Sequence, residues 1–391
     1  MDPYANEWLD LLVRWLHVVA AIAWIGSSFY FIALDNHLRP PADEADAERG
    51  VGGEAWEIHG GGFYQVQKYR VAPPRLPEPL HWFKWEAYTT WLSGFALLIV
   101  LCYVNADTYL IDKSVADLRP WQAIAISVGL LVAGWLVYDA LCRLVPNDLA
   151  IGATLLVLVT LAAWGVSHLF AGRAEYIQIG AMLGTMMAAN VFFVIIPAHW
   201  ELIRAKEAGR EPSAAAGLRA KQRSVHNNYL TLPVVFTMIS NHFPATYGHS
   251  YSWLILVSLL VIGAWVRHFF NLRHTGRTAW WIPVTAALAI AAVAVAIRPG
   301  GLSGGTAVPF SRAQAIVQER CVPCHSAHPT KVGVAPKGVV FDTPQEISSQ
   351  ASAIEQVAVN TKVMPLGNST GMTQAERDAL GAWIRQGAKT R

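Results

Sequence analysis

Charged side chains are scarce in this sequence: they make up 15% of its 391 residues, against 53% apolar residues. A soluble chain carries about 25% charged residues, so a freely soluble enzyme, a disordered polymer and a collagenous repeat are excluded. Four cysteines are too few for a disulfide scaffold. The formal net charge is only +3, and no basic tract stands out, so no nucleic-acid partner is expected. Tryptophan is abundant, at 16 residues, and it is a type enriched where a bilayer meets water. With a mean hydropathy of +0.32, the expectation is an all-α polytopic membrane protein whose first partner is the lipid bilayer.

Eight apolar runs carry that expectation: 11–34, 87–105, 120–142, 151–170, 176–199, 229–242, 251–271 and 279–297. A helix needs about 20 mostly apolar residues to cross some 30 Å of hydrocarbon. The sixth run is short, and it is expected to continue backwards through 214–228. The runs are continuous rather than alternating, which excludes a closed β-barrel. With the N-terminus outside, the inner segments hold sixteen Lys or Arg, Arg223 and Arg267 among them, and the outer ones before the tail hold four. By the positive-inside rule this sets the orientation, and an even number of crossings puts the C-terminus outside too. Residues 1–297 then form an eight-helix transmembrane bundle, 298–308 a Gly/Pro-rich flexible linker, and 309–391 a small outer domain.

That outer domain carries Cys321-Val322-Pro323-Cys324-His325, the C-x-x-C-H pattern of covalent haem attachment. Each thiol can form a thioether to one vinyl group, and the adjoining imidazole reaches the iron. A zinc site would want a second cysteine pair, which is missing. The second axial ligand is expected to be a downstream methionine: Met364, in Val363-Met364-Pro365-Leu366-Gly367-Asn368, with Met372 as the fallback. A helix over 311–320 precedes the motif. A closing helix over 373–386 opens on Thr373-Gln374-Ala375-Glu376, a capping box. The tail resembles a class I cytochrome c domain. Haem c is attached on the outer face, which agrees with the charge count.

Ionisable residues within spans are costly and point to function. His17, His168 and His242 fall near the outer ends of spans one, four and six. His81, His199, His226 and His268 fall near inner ends. The competing role for each is a hydrogen bond that glues two helices. In span one, His17, Ala20, Ala21 and Trp24 share a face. Gly180, Gly184 and Ala188 form a small-residue stripe in span five that suits packing. On the inner side, Glu57 and His59 stand beside Gly60-Gly61-Gly62, and His81 and Lys84 precede span two. On a helix His81, Lys84 and Trp85 would face together. Asn227 and Asn228 enter span six. Amides, imidazoles, a lysine and aromatic faces suit a flat, polar, heteroaromatic anion, and a glycine run lets backbone approach it closely.

The opening Arg14-Trp15-Leu16-His17, the loop Glu57-Ile58-His59-Gly60-Gly61-Gly62-Phe63, His81-Trp82-Phe83-Lys84-Trp85-Glu86 and His226-Asn227-Asn228-Tyr229 together resemble the membrane-bound, cytochrome-c-linked urate oxidase family. The likeness extends over essentially the whole chain. It implies oxidation of urate to 5-hydroxyisourate in purine breakdown. It also implies electrons passed to haem rather than to dioxygen, a bacterial inner-membrane location with the tail in the periplasm, and a downstream acceptor such as a soluble cytochrome or terminal oxidase. Under it, Lys84, His81, Asn227 and Asn228 would hold the urate anion, and Glu57 or His59 would act as base. An inner urate site would leave the tail haem beyond about 30 Å of hydrocarbon. Either urate binds near the outer end, or a second cofactor bridges the gap, and His17, His168 and His242 are at the depth to hold a b-type haem. Two other functions remain open at this stage: a quinol-oxidising enzyme with a fused cytochrome c, and a redox-sensing or transport protein.

Overall fold

The computed structural model describes residues 3–298 and 307–390, so most of the expected linker, 299–306, lies outside the described residues. The described residues are 68% helix and 5% strand, which leaves room for one departure from an all-α fold. The long helices are α1 (Pro3–His37), α2 (Trp85–Tyr103), α3 (Pro120–Leu144), α4 (Asp148–Ser167) and α5 (Gly172–Glu207). They continue with α6 (Ala214–Ile239), α7 (Ser252–His274) and α8 (Trp281–Ala296). Local chemistry marks their starts. Pro120 occupies the first turn of α3, where its missing N–H costs nothing. The Asn147 side chain accepts from the Ala150 N–H at the head of α4, a standard N-cap.

Six of these helices, α1 to α5 and α7, are long and apolar enough to cross a membrane. Of the other two expected spans, α8 has 16 residues and is shorter. The first half of α6 is rich in Arg, Lys, Gln and Asn, which removes it from a hydropathy count. Only 17% of the apolar windows of α1 and α3 is buried, and Leu144 and Leu149 are 80% and 82% exposed. Apolar area on that scale is stable only against an apolar surrounding. By contrast α5 is central, buried over 61% of its window. It meets α6 where a Cβ at Gly180 would stand 2.0 Å from Thr237 Oγ1, so the small residue at 180 does serve packing. Gly184 meets nothing within 4 Å and borders a cavity instead.

The departure from all-α is a hairpin, β1 (Val51–His59) and β2 (Gly62–Tyr69), paired antiparallel. Gly60 and Gly61 form its two-residue turn with φ of +57° and +83°, a backbone shape that favours glycine pairs. The glycine run therefore turns a strand. A second correction concerns residues before α2: the helix begins only at Trp85, with Lys84 at its N-cap, so His81 and Lys84 do not share a helical face.

The tail has its own core, built from Ile316, Val317, Ile354, Leu380 and Trp383. Its first and last long helices are α9 (Phe310–Arg320) and α10 (Gln374–Arg385). Thr373 and Glu376 form the capping box of α10. Arg320 Nη2 donates to Glu376 Oε1 at 2.9 Å and ties the two helices together. The tail rests on one end of the bundle, against residues 106–111 and 244–248. A Cβ at Gly367 would lie 2.9 Å from the carbonyl oxygens of Thr108 and Ile111, and one at Gly248 2.1 Å from that of Thr361. Val363 packs on the bundle core. The hairpin sits at the opposite end, where Arg39 and Glu54 pair as a backbone bridge.

Candidate functional site

In the tail, Cys321 and Cys324 are both free thiols. His325 follows, and its Nδ1 lies 3.0 Å from the Val339 carbonyl oxygen. With Nδ1–H donating to that carbonyl, Nε2 is left as the metal-facing atom. Cys321, Val322, Val339 and Met364 all border one apolar core. Burial pushes the Cys321 thiol up to about 12. Met364 is half-buried, and its carbonyl oxygen accepts from Arg377 Nη1 at 2.6 Å. Met372 is 3% exposed and part of the core. Among the described residues no three His, Cys, Asp or Glu side chains form a metal cluster. Two neighbouring thiols, one oriented imidazole and a thioether that borders the same apolar core as Cys321 make a donor set that fits a covalently held haem better than a bare ion.

The second feature is a cavity of about 420 Å³ between α1, α2, α5 and α6, at the tail-side half of the bundle. His17, Trp24, Thr90, Trp91, Gly184 and His242 are among its lining residues. His17 Nδ1 lies 3.1 Å from the Thr90 carbonyl oxygen and 3.2 Å from Ser93 Oγ, which again leaves Nε2 uncommitted. Gly94 makes room for the ring, since a Cβ there would lie 2.8 Å from His17 Cε1. Asn241 Oδ1, buried and without a partner, belongs to the same lining. The structure thus brings His17 and His242 to one cavity. His168 is not part of it. It is exposed at the C-cap of α4, its Nδ1 2.7 Å from the Trp164 carbonyl oxygen, and it drops out of the set.

At the hairpin end the six residues singled out for urate do not converge. Glu57 Oε2 accepts from the Tyr30 hydroxyl at 2.7 Å, and Oε1 is 3.5 Å from His37 Nε2. His59 is exposed beside the hairpin turn. His81 is exposed with its ring 4.8 Å from Phe83, and Lys84 Nζ lies over the Trp82 ring at 5.0 Å. Asn227 and Asn228 are buried and point to different helices. Asn227 Oδ1 accepts from Asn190 at 2.8 Å and its Nδ2 donates to the Met187 carbonyl at 2.9 Å. Asn228 Oδ1 accepts from Arg267 Nε at 2.8 Å, and its Nδ2 donates to the Ser28 carbonyl at 3.3 Å. Glu57 and Asn228 thus both engage the lower part of α1, through Tyr30 and Ser28.

Two buried arginines, counted above only as inner-side charges, are not among the residues singled out for urate. Arg223 is 4% exposed and pairs with Asp139 at 2.8 Å, donates to Asn190 Oδ1 at 3.1 Å and lies over the Tyr138 ring at 4.9 Å. The Tyr138 hydroxyl is 2.8 Å from His226 Nδ1. Arg267 is 3% exposed and lies 3.9 Å from the Phe29 ring centroid. Signals existed: Asp139 and Asn190 stand inside apolar runs, where polar residues need partners.

The described residues thus form a mostly helical bundle with apolar outer faces and two buried arginines, joined by a tail that carries C-x-x-C-H. Residues 3–298 match the family described as Urate oxidase N-terminal, and the chain belongs to that family. The family connects the chain with urate-related oxidation, and the match ends where the bundle ends. No curated protein matches the chain. No solved structure matches it.

Proposed function

We propose that the chain is a membrane-embedded urate oxidase whose electrons leave through a c-type haem held by Cys321, Cys324, His325 and Met364. In this reaction a water oxygen bonds to the urate ring to give 5-hydroxyisourate, and two electrons and two protons leave. A c-type haem takes one electron at a time when bound, so each product needs two transfers. Bonded to the Val339 carbonyl, His325 presents a fixed tautomer. Glu57, held between Tyr30 and His37, is the general base, a carboxylate kept in position by both partners. On this reading the bundle lies in a bilayer and all eight long helices cross it, which the apolar faces of the six longest apolar ones support. The lysine and arginine bias supports an orientation with the hairpin inside and the tail in the periplasm, where it would face a soluble cytochrome or terminal oxidase.

The seat of the tail carries this reading. Its Met364 segment rests on residues 106–111 and 244–248, and His242, just before that second contact, lines the cavity that runs down to Trp24 and Thr231. His17 and His242 are the residues that would hold a b-type haem there. The cavity is also mostly apolar, which favours quinol as the rival electron donor. One experiment tests the reading. With purified protein and oxidised cytochrome c, urate should reduce two equivalents per molecule consumed and yield no hydrogen peroxide in air. Peroxide in proportion to urate would overturn the proposal, and reduction by quinol alone would favour the rival.

A further inference from the structure

Arg267 and Arg223 are equally buried but not equally satisfied. Arg223 has a carboxylate, an amide and an aromatic face. Arg267 has one hydrogen bond, from Nε to Asn228 Oδ1, and the Phe29 ring. Its Nη2 is buried and has no partner. Among the described residues no carboxylate pairs with it. A buried cation without a counter-charge is strongly disfavoured, so a fold that keeps one has something for it to bind. Asn271, one turn along α7 and on the same face, is 8% exposed, and its Oδ1 also lacks a partner. A donor and an acceptor thus stand unsatisfied side by side.

Around them lie the groups that a substrate site would use. His274, at the end of α7, is within electrostatic reach of both Arg267 and His37, and His37 is 3.5 Å from Glu57. On α1, Phe29 is five residues below Trp24, and on α6 Asn228 is three residues from Thr231, so the site lies roughly 5–8 Å along the helices from the cavity floor.

We propose that Arg267 is the cation that recognises the anionic substrate, a planar purine-type monoanion carrying both carbonyl oxygens and ring N–H groups. Resting on the urate reading, it gives that reading a binding site. Nη2 donates to the anionic edge, Asn271 Oδ1 accepts a ring N–H, Phe29 flanks the guanidinium, and Asn228 is a positioning residue that aims Arg267. The substrate then sits between the Glu57 chain and the cavity, on the line towards the tail.

Equilibrium dialysis of labelled urate against the full-length haem-loaded protein in nanodiscs, fully reduced and anaerobic, reads binding without turnover. Arg267→Gln should weaken binding at least ~30-fold, the scale of losing a desolvated charge contact, and Arg267→Lys should fall between. Asn271→Asp supplies an internal carboxylate for Arg267. It should abolish urate binding while raising the thermal midpoint, which a merely misfolded variant cannot do. Binding within twofold of wild type in both Arg267→Gln and Asn271→Asp would overturn the role of Arg267 and leave the urate reading standing. Labelled chloride bound at this position and not displaced by urate would overturn it in favour of an inorganic anion. A wild-type protein that neither binds urate nor is reduced by it would overturn the proposed function, and this inference with it.

Discussion

A side chain at position 248 would collide with Thr361: a Cβ on Gly248 would stand 2.1 Å from the Thr361 carbonyl oxygen and 2.5 Å from its Cβ. The bundle and the tail therefore touch backbone to backbone, beside the loop that carries Met364. Gly248→Val must push the tail away. Urate-driven reduction of the tail haem in stopped flow should slow by ~10-fold or more, because the overlap cannot be relieved by a rotamer change. The haem midpoint potential should stay the same. An unchanged rate would show that this contact does not place the tail for electron transfer.

Under the proposed function, Met364 and Met372 are the two thioethers that could complete the site of a c-type haem in the tail. Thioether ligation raises the potential of a c-type haem, so Met364→Ala should lower the midpoint and stop turnover, while Met372→Ala should act on stability. Met372 is 3% exposed, and Asn368 bonds both its N–H and its carbonyl, which are marks of a core residue. A redox titration of both variants decides between them.

The ion pair of Arg320 and Glu376 makes the tail sensitive to acid. Burial alone would raise the Glu376 carboxyl, but Arg320 and the Thr373 cap hold it below its ordinary value of 4.5. A depressed folded value means that the stabilisation is full above about 4.5 and is lost as pH falls through the lower folded value. Glu376→Gln should cost about 2 kcal/mol at neutral pH and remove that acid dependence. Hydrogen exchange of α9 and α10 in the full chain measures both.

Asp139 neutralises Arg223 inside the bundle. Asp139→Asn leaves the guanidinium without its counter-charge and should destabilise the protein by about 3 kcal/mol. Adding Arg223→Gln should recover part of that loss, because contacting residues couple. Thermal unfolding in nanodiscs checks the pair of variants.

Much of the bundle was legible because a run of apolar residues has few other uses, and the C-x-x-C-H motif is legible because its spacing is its chemistry. The hairpin was hidden because Gly60 and Gly61 can serve a ligand or a turn equally well in a one-dimensional reading. Neighbours in sequence also part in space. Asn227 and Asn228 are successive residues on a helix, so one reaches α5 and the other α1 and α7. His17 and His168 look alike as histidines at span ends, yet only His17 faces the cavity, because which helices are neighbours is a long-range fact. Arg223 and Arg267 count in the sequence only as inner-side charges for the same reason: it takes partners distant in sequence to bury one face of the polar first half of α6 and of the end of α7.

Under the proposed function, electrons from urate reach the tail haem within one chain. Adding urate anaerobically to the oxidised, purified protein tests it most directly, with the haem α-band as the readout. Urate should reduce the C-x-x-C-H haem and be converted to 5-hydroxyisourate. A haem that stays oxidised in the presence of urate, in protein that dithionite can reduce, would contradict it.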